Sequence, residues 1–305
     1  MSPAQFPTLT PADFRRGALW MLVSLISFTA NAMLLKYVNG VRGISAWWAL
    51  LFRAVVGVVV VWAWFTPRGL VDFRRAALSR LLVSRGVLGA LGTAAYYLTL
   101  PQLGAGKATL IGNTWVIWAA IMAVPFLGEH LTPRKIVGTL LALGGIVLLT
   151  GLQSGDLSRF GFYEGIALAG ALIAAGTVVV IRQLTRTETS ATIFASQCIY
   201  TTVLALPFVF VTQAPSAVEI SLLTLGAVMA AIGQLAMTEG FRFLAVSAGG
   251  AFQVLLPLSI TFGSVTIYGE AFSIPQACGA ALSVAGSYWI VAAPRRSIRE
   301  DSTAT

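Results

Sequence analysis

Phe126-Leu127-Gly128-Glu129-His130-Leu131-Thr132-Pro133-Arg134-Lys135-Ile136-Val137-Gly138, followed by the apolar run Thr139 to Thr150, decides how this chain is read. It has the pattern of one membrane helix ending, a tight charged corner, and a second helix beginning. Thr132 suits a helix N-cap and Pro133 the first helical position. The pattern returns 141 residues later as Ile267-Tyr268-Gly269-Glu270-Ala271-Phe272-Ser273-Ile274-Pro275, with Ser273 in place of Thr132. Gly279 then matches Gly138 and Gly286 matches Gly145; upstream, Gly233 matches Gly92 and Leu244 matches Leu103. Two stretches of equal length around the same corner indicate an internal duplication. Its units are residues 1–152 and 153–305.

Composition supports a membrane location. Hydrophobic residues make up 57% of the 305 positions and charged residues 10%, at a mean hydropathy of +0.84. A soluble domain carries about 25% charged residues. Thirty glycines suit closely packed membrane helices. The net charge of +9 is spread over short loops between apolar runs, which is not the footprint of a nucleic-acid partner. Cys198 and Cys278 lie inside apolar runs and read as small hydrophobes rather than a disulfide. The N-terminal segment lacks the pattern of a cleavable signal.

A spanning helix needs about 20 mostly apolar residues. Ten candidates follow: roughly 17–37, 44–65, 81–100, 107–127, 133–151, 162–181, 191–212, 218–240, 247–268 and 273–292. The one long connection, Thr66 to Arg80, has the charge of a surface helix. Lys and Arg in the loops set orientation. With the N-terminus inside, fifteen basic residues fall on the cytoplasmic side, Arg85 counted among them, and four on the outer side. Both termini are therefore expected in the cytoplasm. Five helices per unit is an odd number, so the second unit enters the membrane inverted. That is a usual architecture of secondary transporters, with a binding site near the bilayer midplane between the halves.

The double corner, with Gly128-Glu129…Gly138…Gly144-Gly145 and Gly269-Glu270…Gly279…Gly286, resembles the drug/metabolite transporter superfamily, in particular its ten-helix EamA-type members. Phe28-Thr29-Ala30-Asn31-Ala32-Met33-Leu34-Leu35-Lys36 resembles the family's first helix, keeping Asn31 and Lys36 but not its tryptophan. Arg53 fits an arginine common in the second helix. The chain departs from the pattern in its fourth helix, where Asn113-Thr114-Trp115 stands without a proline; that helix is expected to be straighter than its twin containing Pro257. The resemblance implies an all-α integral membrane protein in the inner membrane that moves small metabolites by alternating access. Among such proteins the chain looks most like amino-acid exporters, the aromatic group included.

Several residues stand out as binding candidates. Trp20, Ser24, Ser27 and Asn31 follow a spacing of four, three and four, which places an indole, two hydroxyls and an amide on one face. That face either lines a hydrated cavity or packs on a neighbouring helix, with Asn31 bonding across. Thr93, Tyr96 and Tyr97, with Asn113, Trp115 and Trp118, offer aromatics beside polar groups. The alternative is an interfacial aromatic belt, which suits Tyr97. Gln234 and Thr238, and then Gln253, Pro257 and Thr261, recur at spacing four. Pro257 cannot donate to the carbonyl of Gln253, so that carbonyl and the Gln253 amide either sit together facing substrate or belong to an ordinary kink whose backbone the neighbouring helices satisfy. Arg53 lies deep in its helix, where a charge costs at least about 2.5–3.5 kcal/mol. It either locks helix ends by binding carbonyls or receives a substrate carboxylate. Glu129 and Glu270 are expected to cap the corners by accepting from helix N-termini.

No metal-ligand cluster, phosphate loop or nucleophile–base pair is visible, so neither an enzyme nor a cofactor is expected. The first helix holds no Asp or Glu, which argues against a proton-coupled multidrug antiporter, the competing reading. The expected partners are a small-molecule substrate and the lipid bilayer, in a monomer or weak homo-oligomer.

Overall fold

The structure, a computed structural model, describes residues 10–129, 132–149, 161–269 and 273–291, and these contain helices and turns without strands. Helix α1 spans Pro11–Leu35 and runs on into a π-helical stretch, Lys36–Val41. After it come α2 (Ala46–Phe65), α3 (Phe73–Leu78), α4 (Arg80–Asn113), α5 (Trp115–Leu127) and α6 (Pro133–Leu149). The remainder is α7 (Phe162–Leu184), α8 (Ser190–Val209), α9 (Ala217–Phe243), α10 (Val246–Val254), α11 (Leu256–Tyr268) and α12 (Ile274–Val291). Among the described residues, seven helical segments are long and apolar enough to cross a membrane, and Ile111–Leu127 is a shorter apolar one. The outward faces are correspondingly bare of partners at Leu19, Ile26, Trp62, Val203 and Phe262, the surface a bilayer covers. This is a multi-pass membrane protein.

The caps follow the local sequence. Asp72 accepts from the Arg75 N–H at 2.8 Å and starts α3, the surface helix expected in the long connection. Thr132 accepts from the Lys135 N–H at 3.4 Å at the head of α6. Gly128 and Gly269 end α5 and α11 in left-handed conformations, φ 68° and 66°, a turn that a side chain would strain.

Two expectations need correction. The loop expected near residues 100–107 is helical, since α4 runs on to Asn113, although the apolar segments on either side stay distinct as Arg80–Thr99 and Ile111–Leu127. The fourth span is also not one continuous helix. It breaks at Thr114, whose hydroxyl donates to the Ile111 carbonyl at 2.6 Å while its N–H reaches the same carbonyl at 3.2 Å. A side chain that bonds its own backbone competes with the helical ladder and does here what proline does elsewhere. The matching break, at Leu255, lies 141 residues further on, two positions before Pro257.

Packing joins the two halves of the chain throughout. The strongest pairings are α6 with α12, α1 with α9, α4 with α7, and α2 with α8. In the first pair the backbones nearly touch. A Cβ on Gly286 would lie 2.5 Å from the Gly138 carbonyl oxygen and 2.5 Å from the Ala142 nitrogen. One on Gly145 would lie 2.6 Å from the Gly279 oxygen. Without a hydrophobic force between helices in lipid, such close approach is what holds them together.

Candidate functional site

Between the halves lies a cavity of about 820 Å³. On α1 its border runs from Phe28 to Lys36, and it includes Gly43 to Ala46 at the head of α2. Going the other way it stops at Arg85 on α4, Val178 on α7 and Met237 on α9. The cavity therefore reaches one end of the bundle and is closed toward the other.

The closed end is sealed by a polar network. Glu129, at the end of α5, accepts from the Val246 N–H at 2.7 Å and the Ser247 hydroxyl at 3.3 Å, capping α10. Arg182, on α7, donates to the carbonyls of Phe241 and Arg242 at the end of α9. Arg242 returns the contact, donating to Thr185 O at 2.9 Å and Glu188 O at 3.0 Å. Ser190 donates to Glu239 at 2.6 Å, and Arg75 pairs with Glu188 at 2.9 Å. Guanidiniums on helix C-termini and a carboxylate on an N-terminus each match the local helix dipole. Glu129 accepts from a helix N-terminus, but from that of α10, 117 residues away, where the sequence placed the cap at its own corner. Glu270 lies outside the described residues.

Of the other expected site residues, Asn31, Arg53, Tyr96, Asn113, Gln234, Gln253 and Pro257 border the cavity. Four do not. Ser24 is fully buried and accepts from Gln253 Nε2 at 3.2 Å, so it positions a cavity residue from behind. Ser27 is buried off the cavity. Trp118 packs in the apolar core with Val178, Ile181 and Phe241. Trp20 is 37% exposed, because at its end of α1 the packed positions are Gly17, Met21 and Ser24. The Gln253 amide is also not free for substrate, since its nitrogen is turned to Ser24 and the Met21 sulfur. Tyr97, which suited an interfacial belt, is buried and borders the cavity.

Arg53 donates to Gln234 Oε1 at 3.2 Å and lies 5.7 Å from the Phe28 ring centroid. The residue the sequence reading misplaced is Arg85. It was counted with the cytoplasmic loops, but it is 1% exposed inside α4 and borders the cavity. Its Nη2 donates to Gln197 Oε1 at 2.8 Å. Gln197 also borders the cavity, and its own nitrogen donates to Thr93 at 3.1 Å and Gly89 O at 3.4 Å. The imbalance of Lys and Arg between the two sets of loops survives without Arg85, at fourteen against four.

Comparison with known proteins adds the following. The EamA-like transporter family matches this chain twice, at residues 15–151 and 162–292. A candidate sugar uptake protein of Bacillus cereus is 29% identical over 146 residues, 46% of this chain and 48% of that protein. The chain thus spans about half the length of that relative. The pseudopaline exporter CntI of Pseudomonas aeruginosa is 27% identical over 226 residues, 72% of this chain and 77% of the exporter. A solved crystal structure shares the fold at a TM-score of 0.76 and 19% identity, covering 92% of this chain and 99% of its own.

Proposed function

This chain belongs to the EamA-like transporter family, and from that premise we propose that it is a secondary transporter that exports or exchanges small metabolites, amino acids foremost, by alternating access. The observation that carries the proposal is the cavity: large enough for a metabolite, bordered by both halves, reaching one end of the bundle and sealed from the other. Alternating access requires one site that faces each side in turn, with the seal exchanged between ends.

The same reading makes the chain ten spans in two inverted five-helix units, residues 1–152 and 153–305. It is supported by the doubled family match, the repeated corner and the twin breaks at Thr114 and Leu255. The packing supports it too. Shifting one partner of the α1–α9 pair forward and the other back by one unit gives the α4–α7 pair, while α2–α8 and α6–α12 map onto themselves. A pseudo-two-fold axis in the membrane plane has this property. The loop charges put both termini in the cytoplasm of the inner membrane and the sealed end on the cytoplasmic side, so the site faces outward in this state. Export is supported by the likeness to amino-acid exporters and by the exporter among the relatives. A proton-coupled multidrug antiporter fits less well, because no Asp or Glu stands among the described residues bordering the cavity.

Two experiments test this. With impermeant thiol reagents, Ala214→Cys is expected to label from the outer face and Arg186→Cys only from the inner face; labelling of Arg186→Cys from outside alone rejects the orientation. In proteoliposomes, counterflow of amino acids is expected to persist with equal pH on both sides and an ionophore present. Its loss under those conditions rejects uncoupled exchange. Glu239, which adjoins Thr238 on α9, is then the first residue to replace.

A further inference from the structure

Among the described residues bordering it, the closed end of the cavity holds two guanidiniums and no counter-charge. Arg85 is almost wholly buried, and its Nη2 donates to the neutral oxygen of Gln197. Its Nε and Nη1 have no hydrogen-bond partner among the described residues. Arg53 likewise meets a neutral oxygen, that of Gln234, whose own Nε2 is buried and unpartnered. The two arginines lie close enough to repel one another. Arginine cannot shed its proton to escape burial, as lysine does. A buried charge with unused donors is costly until something pairs with it. Gln197 is held in place by Thr93 and Gly89, and like any amide oxygen it supplies dipole but no charge.

We infer that Arg85 and Arg53 form the anion subsite of the transporter, and that the substrate presents a carboxylate to it and an apolar body to Phe28, Tyr96 and Trp115. The fork of a guanidinium matches a carboxylate with two parallel hydrogen bonds. Phe28, Tyr96 and Trp115 border the same cavity and supply the apolar walls that bury the rest of a ligand. No described carboxylate borders the cavity to receive an ammonium, so within the small metabolites proposed above the site favours net-negative molecules over zwitterions and cations, which displaces neutral amino acids from first place. This inference rests on the transport reading and names the charge of what is carried.

The test uses the full chain in detergent and four compounds that share a phenyl body: phenylpyruvate, phenylalanine, phenethylamine and phenyl phosphate. Binding is read by calorimetric titration. Phenylpyruvate is expected to bind at least tenfold more tightly than phenylalanine, with phenethylamine weaker still. Arg85→Gln is expected to remove that preference, weakening phenylpyruvate at least tenfold and leaving phenethylamine as tight or tighter. Should Arg85→Gln fail to fold, Arg85→Lys and Arg53→Gln carry the test. The lysine, which keeps the charge without the fork, is expected to give an intermediate loss, and Arg53→Gln a loss confined to the anions. Phenethylamine or phenylalanine binding as tightly as phenylpyruvate overturns the inference, as does an anion preference that survives these substitutions. Phenyl phosphate binding alone overturns the carboxylate assignment. Counterflow of the same compounds is scored separately. Phenylpyruvate that binds through Arg85 but shows no counterflow supports the subsite and rejects the transport reading. Counterflow of phenethylamine without binding of phenylpyruvate does the reverse.

Discussion

Replacing Gly286 by alanine is expected to remove most of the folded protein, although it adds a single methyl group. That methyl would stand 2.5 Å from both the Gly138 oxygen and the Ala142 nitrogen. Both are backbone atoms of α6, so no side chain can swing aside; α6 and α12 must separate along their length. Overpacking costs about 1–3 kcal/mol where side chains can adjust, and occasionally more. A backbone collision belongs at or above the top of that range, against a total stability of about 5–15 kcal/mol for a folded protein. The check is the monodisperse fraction in size-exclusion chromatography and the unfolding temperature in detergent. Gly165→Ala is the control, because a Cβ there meets nothing within 4 Å. It is expected to be neutral or slightly stabilising, since alanine is favoured over glycine in a helix interior by about 0.5–1 kcal/mol. Equal behaviour of the two variants would show that the close approach of α6 and α12 does not hold the fold.

The second large effect is expected at Glu129, on conformation rather than on folding. Its carboxylate joins the end of α5 to the start of α10 through the Val246 N–H and the Ser247 hydroxyl. On the alternating-access reading proposed above, these bonds exist only while this end is sealed. Hydrogen bonds to a charged group contribute about 1.5–3 kcal/mol, so their loss shifts the equilibrium toward an inward-facing state by about 10- to 150-fold. Glu129→Ala is expected to show the full shift, and Glu129→Gln, which keeps an acceptor but no charge, part of it. Met237→Cys is the reporter, as Met237 borders the cavity near its sealed floor. In inside-out vesicles lacking Cys198 and Cys278, an impermeant thiol reagent is expected to reach it at least tenfold faster when Glu129 is replaced by alanine. An unchanged rate would remove Glu129 from the seal.

The corner was legible in the sequence because its chemistry is local. Gly128 and Gly269 are needed for a left-handed residue, and Thr132 for an N-cap; each requirement is met within a few positions. The glycines of α6 and α12 were legible as a repeat, but not as partners of one another, because contact across the fold leaves no mark on either helix alone. The break at Thr114 was missed because only proline was taken as a breaker, and a hydroxyl bonding the Ile111 carbonyl acts at the same point. Arg85 was missed because hydropathy counts residues without saying which face they occupy. A signal was present in Arg85-Gly86 and the glycines at 89 and 92. Small residues at that spacing mark a face pressed against a neighbour, and a Cβ at Gly86 would in fact collide with Ser196 of α8. Gln197 carried the same signal as Asn31, an amide within an apolar run, and was overlooked. Glu129 was read correctly as an acceptor, while its donor, in the other half of the chain, lay beyond any local pattern.

A cavity with arginines at its floor and no carboxylate on its described border also has an electrical consequence. The cytoplasm of a respiring cell is negative relative to the outside. A substrate of net charge −1 leaving through this site runs down that voltage and gains about 2.3 kcal/mol for each 100 mV. That is enough to sustain roughly a 50-fold higher concentration outside than inside at equilibrium. A zwitterion gains nothing, and a cation is driven the other way. On the proposed reading, the two guanidiniums that choose the cargo by its charge would also set the direction in which it travels, with the membrane voltage as the driving force and no proton required.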